Sequence, residues 1–149
     1  MSSTSISKMS KMGIFIVALG AIFYGFEYFL RVSPAVMKDE LFSSFSMNAT
    51  MFGAFSAYYF YAYTPLQIFV GIVIDRVNLR YVLCFAVLCC AGGTMLIGYT
   101  DTFMYACLGR FLQGFGSAFA YVGALKLTVN WLPAERFATV ASLATSIGF

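Results

Sequence analysis

"GIVIDRVNLR", residues 71–80, gathers Asp75, Arg76 and Arg80 within six residues, between two long apolar runs. The surrounding chain is poor in charge. Hydrophobic residues make up 61% and charged residues 10%, where a soluble domain carries about a quarter charged. Such a composition cannot cover a water-facing surface over most of its length. The chain therefore reads as an all-α integral membrane protein, with the lipid bilayer as its surroundings. Its net charge of +3 is too small to argue for nucleic acid, and none is expected as a partner.

Outward from that turn, apolar segments fall near 12–37, 49–74, 81–100, 103–130 and 137–149. A span needs about 20 residues at about 1.5 Å rise each. The first four segments are long enough. The fifth reaches the last residue well short of a span, so the expectation is an N-terminal fragment of a longer protein. Residues 1–11, "MSSTSISKMSK", read as a mobile cytoplasmic tail. Residues 12–149 then form part of one membrane domain. Lys8 and Lys11 precede an apolar run, but no small-x-small cleavage site closes it, so it reads as a retained span.

Orientation follows from the basic residues. With the N-terminus inside, Lys8, Lys11, Arg76, Arg80 and Arg136 fall in or beside cytoplasmic segments, and Lys38 alone falls outside. The chain is thus expected in a cell membrane, multi-pass, as in a bacterial inner membrane. Trp131 in "NWLPAER" sits at the inner interface as an anchor. "NAT" at 48–50 matches a glycosylation acceptor but abuts the second span and is read as chance.

Some chemistry is excluded. There is no histidine, the commonest general base and metal ligand. Cys84, Cys89, Cys90 and Cys107 lie in apolar runs without a CxxC pair and read as small apolar residues. No enzyme, metal or cofactor is expected.

Charges inside the spans need a reason, since each costs about 2.5–3.5 kcal/mol at a helix centre on insertion scales. Glu27 and Arg31 are four apart and share a face with Gly20 and Tyr24. Either they neutralise each other, with Arg31 snorkelling outward, or Arg31 faces a cavity and binds an anionic group while Glu27 holds it or carries a proton. Arg110 begins a second stripe, continued by Gln113, Gly114, Ser117 and Tyr121. Small and hydroxyl residues there suit close helix packing, but packing does not need a charge. In the second span Tyr59, Tyr63 and Gln67 repeat at a spacing of four beside Pro65, which should bend the helix. Phenols beside a kink suit a cavity wall, and they suit aromatic packing equally. The third span lacks ionisable residues beyond its ends and reads as a scaffold or lipid-facing helix.

"GIVIDRVNLR" resembles the signature loop of the major facilitator superfamily, with Gly71, Asp75, Arg76 and Arg80 matching and Asn78 in place of the usual second glycine. "GRFLQGFGSA" resembles that family's fourth-helix pattern, with Arg110, Gln113 and Gly114 in place. "NWLPAER" and "FLRVSPAVM" resemble segments of its anion:cation symporter and sialin-like members. The tyrosine-rich second helix is similar to that of the lysosomal dipeptide-transporter branch. The resemblance implies a twelve-helix fold built from inverted repeats, with a midplane site and alternating access. This chain would supply four helices and the start of a fifth. It implies a secondary transporter, a symporter in those branches, of a small organic anion, amino acid or short peptide, coupled to a proton or sodium ion. Arg31 would bind a carboxylate and Glu27 would carry a coupling proton. Tyr24, Tyr59, Tyr63, Gln67, Arg110 and Gln113 would complete the substrate site. Gly71, Asp75, Arg76 and Arg80 would form a gating loop. Gly71 would allow close helix approach, and Asp75 would pair with Arg76, Arg80 or a helix N-terminus elsewhere. The alternatives are a four-span membrane protein, such as a dimeric multidrug exporter using Glu27, or a non-transporting membrane scaffold.

Overall fold

The apolar runs become helices because a chain without water around it must satisfy its backbone internally. A computed structural model describes residues 11–131 and is all-helical over the elements it contains. These are α1 (Lys11–Val36), α2 (Lys38–Ser44), α3 (Ala49–Arg76), α4 (Leu79–Tyr99) and α5 (Phe103–Trp131). Lys11, assigned to the tail from sequence, opens α1. The rest of the tail, Arg136 and the segment at 137–149 lie outside the described residues, as do the side chains of Tyr121 and Trp131. Among the described residues, α3 and α4 are long and apolar enough to cross a membrane.

The connection at 38–48 contains an element that hydropathy missed. Residues 38–44 form α2, with Asp39 and Glu40 in its first turn, where the helix dipole favours negative charge. Leu41 of α2 packs with Met47, Phe55, Ala106 and Cys107, tying this short helix to the ends of α3 and α5. Ser46, at φ 48°, turns the chain into α3. Asn48 then caps α3, its side chain accepting from the Met51 N–H at 2.8 Å. The "NAT" asparagine thus has a structural task at this helix start.

α5 is the helix on which the others pack. Gly93 of α4 meets the Gly109 carbonyl, and Gly116 of α5 meets the Ala86 carbonyl, where added Cβ atoms would lie at 2.5 Å in each case. Gly114 lies against the Tyr59 backbone of α3. Small residues bring backbones together where the bilayer offers no hydrophobic drive between helices. Phe55 lies by Cys107, Tyr59 by Gly114, and Val70 by Ala118, so α3 and α5 run parallel. α4 runs antiparallel to α5. Its buried edge is Val82, Ala86, Cys90 and Gly93, while Tyr81, Phe85, Leu88 and Met95 stay exposed. That one-sided burial fits the scaffold reading of the third span.

Gly71 corrects an expectation. A Cβ there would find nothing within 4 Å, so it allows no close approach among the described residues. The close contacts belong to the glycines of α5 and to Gly93.

Candidate functional site

α1 carries Glu27 and Arg31 one turn apart, and α3 sets Tyr59 against both. The Tyr59 hydroxyl donates to Glu27 Oε1 at 2.5 Å. Arg31 Nη2 donates to the same oxygen at 3.2 Å, and Arg31 Nε to the Tyr59 hydroxyl at 3.4 Å. Tyr63, one turn beyond Tyr59, stacks on it with centroids 5.8 Å apart and planes 16° apart. The Arg31 guanidinium lies 4.9 Å from the Tyr63 centroid and 5.7 Å from that of Tyr59. Two phenol rings therefore brace the cation, a contact worth about 0.5–2 kcal/mol.

Burial sorts these residues into two layers. The Arg31 side chain is 27% exposed, and the Glu27 side chain is 1% exposed. Tyr59 is buried, as is Tyr24 on the same face of α1. Tyr63 and Gln67 are half-buried. Arg31, Tyr63 and Gln67 can therefore meet a solute, with Glu27 and Tyr59 behind them.

Arg110 and Gln113 have other partners. Arg110 Nη1 donates to the Leu30 carbonyl at 2.9 Å and to Gln113 Oε1 at 2.7 Å, and Nη2 to the Arg31 carbonyl at 3.4 Å. Its guanidinium lies 5.0 Å from the Tyr59 centroid and 5.5 Å from that of Phe55. Gln113 Nε2 continues to Thr94 Oγ1 at 2.9 Å, and that hydroxyl donates to the Cys90 carbonyl at 2.8 Å. Arg110 and Gln113 are each 3% exposed in this chain alone, and any further packing can only cover them more. In this conformation they tie α1, α4 and α5 together and do not line an open surface.

The cluster holds two guanidiniums and one carboxylate. Among the described residues, the ion pairs are Arg31 with Glu27 and Lys126 with Asp75, so Arg110 has no carboxylate partner. This region therefore carries an excess of one positive charge, and Arg31 is the point at which that charge reaches the surface. Uncompensated charge in a low-dielectric setting attracts an anion strongly.

At the far end of α3, Asp75 pairs with Lys126 of α5 rather than with Arg76 or Arg80. An acidic group at a helix C-terminus opposes that helix's dipole. The parallel neighbour α5 brings a long cationic side chain to the same level. Arg76 and Arg80 are exposed. Sequence reasoning passed over Lys126, and also the Thr94 hydroxyl. The one available signal for Lys126 was a lone lysine inside an apolar helix.

Comparison with known proteins agrees with this architecture. The model of the Major Facilitator Superfamily matches residues 14–149. An uncharacterized transporter of Bacillus subtilis (strain 168), YybO, is 32% identical over 117 residues, covering 78% of this chain and 27% of the relative. The lysosomal dipeptide transporter MFSD1 of Bos taurus is 29% identical over 137 residues, covering 89% of this chain and 29% of the relative. The chain thus spans less than a third of the length of these curated relatives. No solved structure matches.

Proposed function

This chain belongs to the Major Facilitator Superfamily, and from that premise we propose that it forms part of the solute path of a secondary transporter for a small carboxylate-bearing solute. Organic anions, amino acids and short peptides all fit that description. The observation that carries this reading is Arg31: a partly exposed guanidinium, braced by two tyrosines, in a cluster with one more cation than carboxylate. A planar guanidinium matches a carboxylate bidentately, as a lysine cannot. MFSD1 transports dipeptides by its name, and a dipeptide ends in such a group. In this reading Tyr63 and Gln67 flank the bound solute, and Tyr59 and Glu27 hold Arg31 in place.

The long helices are the first four of a twelve-helix protein that works by alternating access, with the N-terminus cytoplasmic in a cell membrane such as a bacterial inner membrane. Coupling is to a proton or sodium ion, and Glu27 is the proton carrier. The loop with Asp75, Arg76 and Arg80 gates the inner side. Family membership favours this reading over the four-span exporter and the scaffold.

The test is uptake of radiolabelled dipeptides, amino acids and monocarboxylates by proteoliposomes holding the full reading frame. Arg31→Ala should abolish uptake at an unchanged membrane level, and Arg31→Lys should retain little. Uptake by Arg31→Ala at the unsubstituted rate sinks the assignment.

A further inference from the structure

The geometry points to Arg110 as a positioning residue: its guanidinium stands in for the N–H that Pro34 lacks, and so fixes the stretch of α1 from which Arg31 projects. Proline has no amide proton, so the carbonyl four residues earlier loses its helical donor. With Pro34 inside α1, that carbonyl belongs to Leu30, the residue before Arg31. Leu30 is buried at 4% exposure, and an unsatisfied carbonyl there would be costly. A carbonyl oxygen has two lone pairs. One takes the Ser33 hydroxyl at 3.0 Å and the other takes Arg110 Nη1 at 2.9 Å.

Arg110 Nη2 then reaches the next carbonyl, that of Arg31, at 3.4 Å. One planar group grips two successive carbonyls of α1. Its third bond, to Gln113 one turn along α5, passes the restraint through Thr94 to α4. The other internal proline shows the contrast. Pro65 deprives the Tyr61 carbonyl, but Tyr61 is 65% exposed and sits on an outer face of α3. Of these two gaps, only that of Pro34 is buried, and there a guanidinium fills it. A lysine, as a point donor, cannot span both carbonyls and Gln113.

The functional weight of this joint rests on Arg31 being the carboxylate-binding group, but the joint itself needs no substrate to be tested. Arg110→Lys is compared with and without Pro34→Ala, by thermal midpoint in one detergent. Restoring an N–H at position 34 gives the Leu30 carbonyl its own donor. The loss on Arg110→Lys should then shrink by more than half. Equal losses in the two backgrounds overturn the proposal.

A spectroscopic measurement covers the case in which Arg110→Lys does not fold. Labelling with carbonyl-13C leucine and 15N arginine selects the two Leu–Arg pairs in the sequence, Leu30–Arg31 and Leu79–Arg80. In the unsubstituted protein the Leu30 carbonyl carbon should show a through-space contact to an arginine side-chain nitrogen, matching Arg110 Nη1 at 2.9 Å from its oxygen, and the contact should weaken in Pro34→Ala. A Leu30 carbonyl without that contact overturns the proposal as well. Neither outcome depends on solute identity, so failure of the joint is distinguishable from failure of the transport reading.

Discussion

Gly114→Ala should loosen the site without touching any of its polar groups. A Cβ on residue 114 would run into the Tyr59 carbonyl oxygen, and would sit 2.9 Å from the Tyr59 carbonyl carbon and 3.0 Å from its Cα. Ordinary contact begins near 3.4 Å, so the Cα alone must retreat by about 0.4 Å (3.4 less 3.0) and the carbonyl by more. These are backbone atoms of α3, which cannot rotate aside as a side chain can. Overpacking of this kind costs about 1–3 kcal/mol. The displacement also reaches Tyr59, whose hydroxyl holds Glu27 at 2.5 Å. The assay is thermal unfolding read by a thiol-reactive dye. Cys90 and Cys107 are each 1% exposed and react only once the helices part. Cys84 and Cys89 are replaced by alanine beforehand, since Cys84 is exposed. Gly71→Ala and Gly53→Ala serve as controls, because a Cβ at either meets nothing within 4 Å. Gly114→Ala should melt several degrees lower, and the controls at or above the parent. A Gly114→Ala midpoint equal to that of the controls refutes the close α3–α5 approach.

Tyr59→Phe keeps the ring but removes the donor to Glu27 and the acceptor for Arg31, each a bond to a charged group. A loss of about 1.5–3 kcal/mol is expected in the same melting assay, against no change for Tyr61→Phe on the exposed face. Glu27→Gln should leave solute binding in place and remove the dependence of uptake on the pH gradient; an unchanged dependence removes Glu27 as the proton carrier. Lys126→Ala breaks a pair that is largely exposed, so stability should change by about 0–1 kcal/mol. A larger drop in midpoint would mean that the Asp75 pair is a structural anchor.

The sequence made the long helices legible because hydropathy and length alone locate them. α2 escaped because seven residues with three charges, Lys38, Asp39 and Glu40, carry no apolar run. The face shared by Glu27 and Arg31 followed from helical spacing, and so did the common side of Tyr59 and Tyr63, though not the stacking of their rings. Which polar residues are reachable did not follow. Arg110 and Arg31 look alike in sequence, each a lone arginine in an apolar helix. Their difference depends on which neighbour faces each one, and that is set by the register between α1, α3 and α5. The partner of Asp75 was hidden for the same reason, since Lys126 lies 51 positions away.

The register also explains why one carboxylate suffices for two arginines. Arg110 is held by carbonyl and amide oxygens and by the faces of Tyr59 and Phe55. These partners supply partial charges, so its positive charge is spread without being cancelled. Glu27 is committed to Arg31 and Tyr59. A carboxylate arriving at Arg31 would therefore meet a site already one charge short, and its binding would not require Glu27 to leave. If Glu27 then took up a proton, Arg31 would lose its fixed partner and hold the arriving anion more tightly. The same step in reverse would release it. Proton and solute would be coupled through one shared guanidinium, with Arg110 keeping its backbone still.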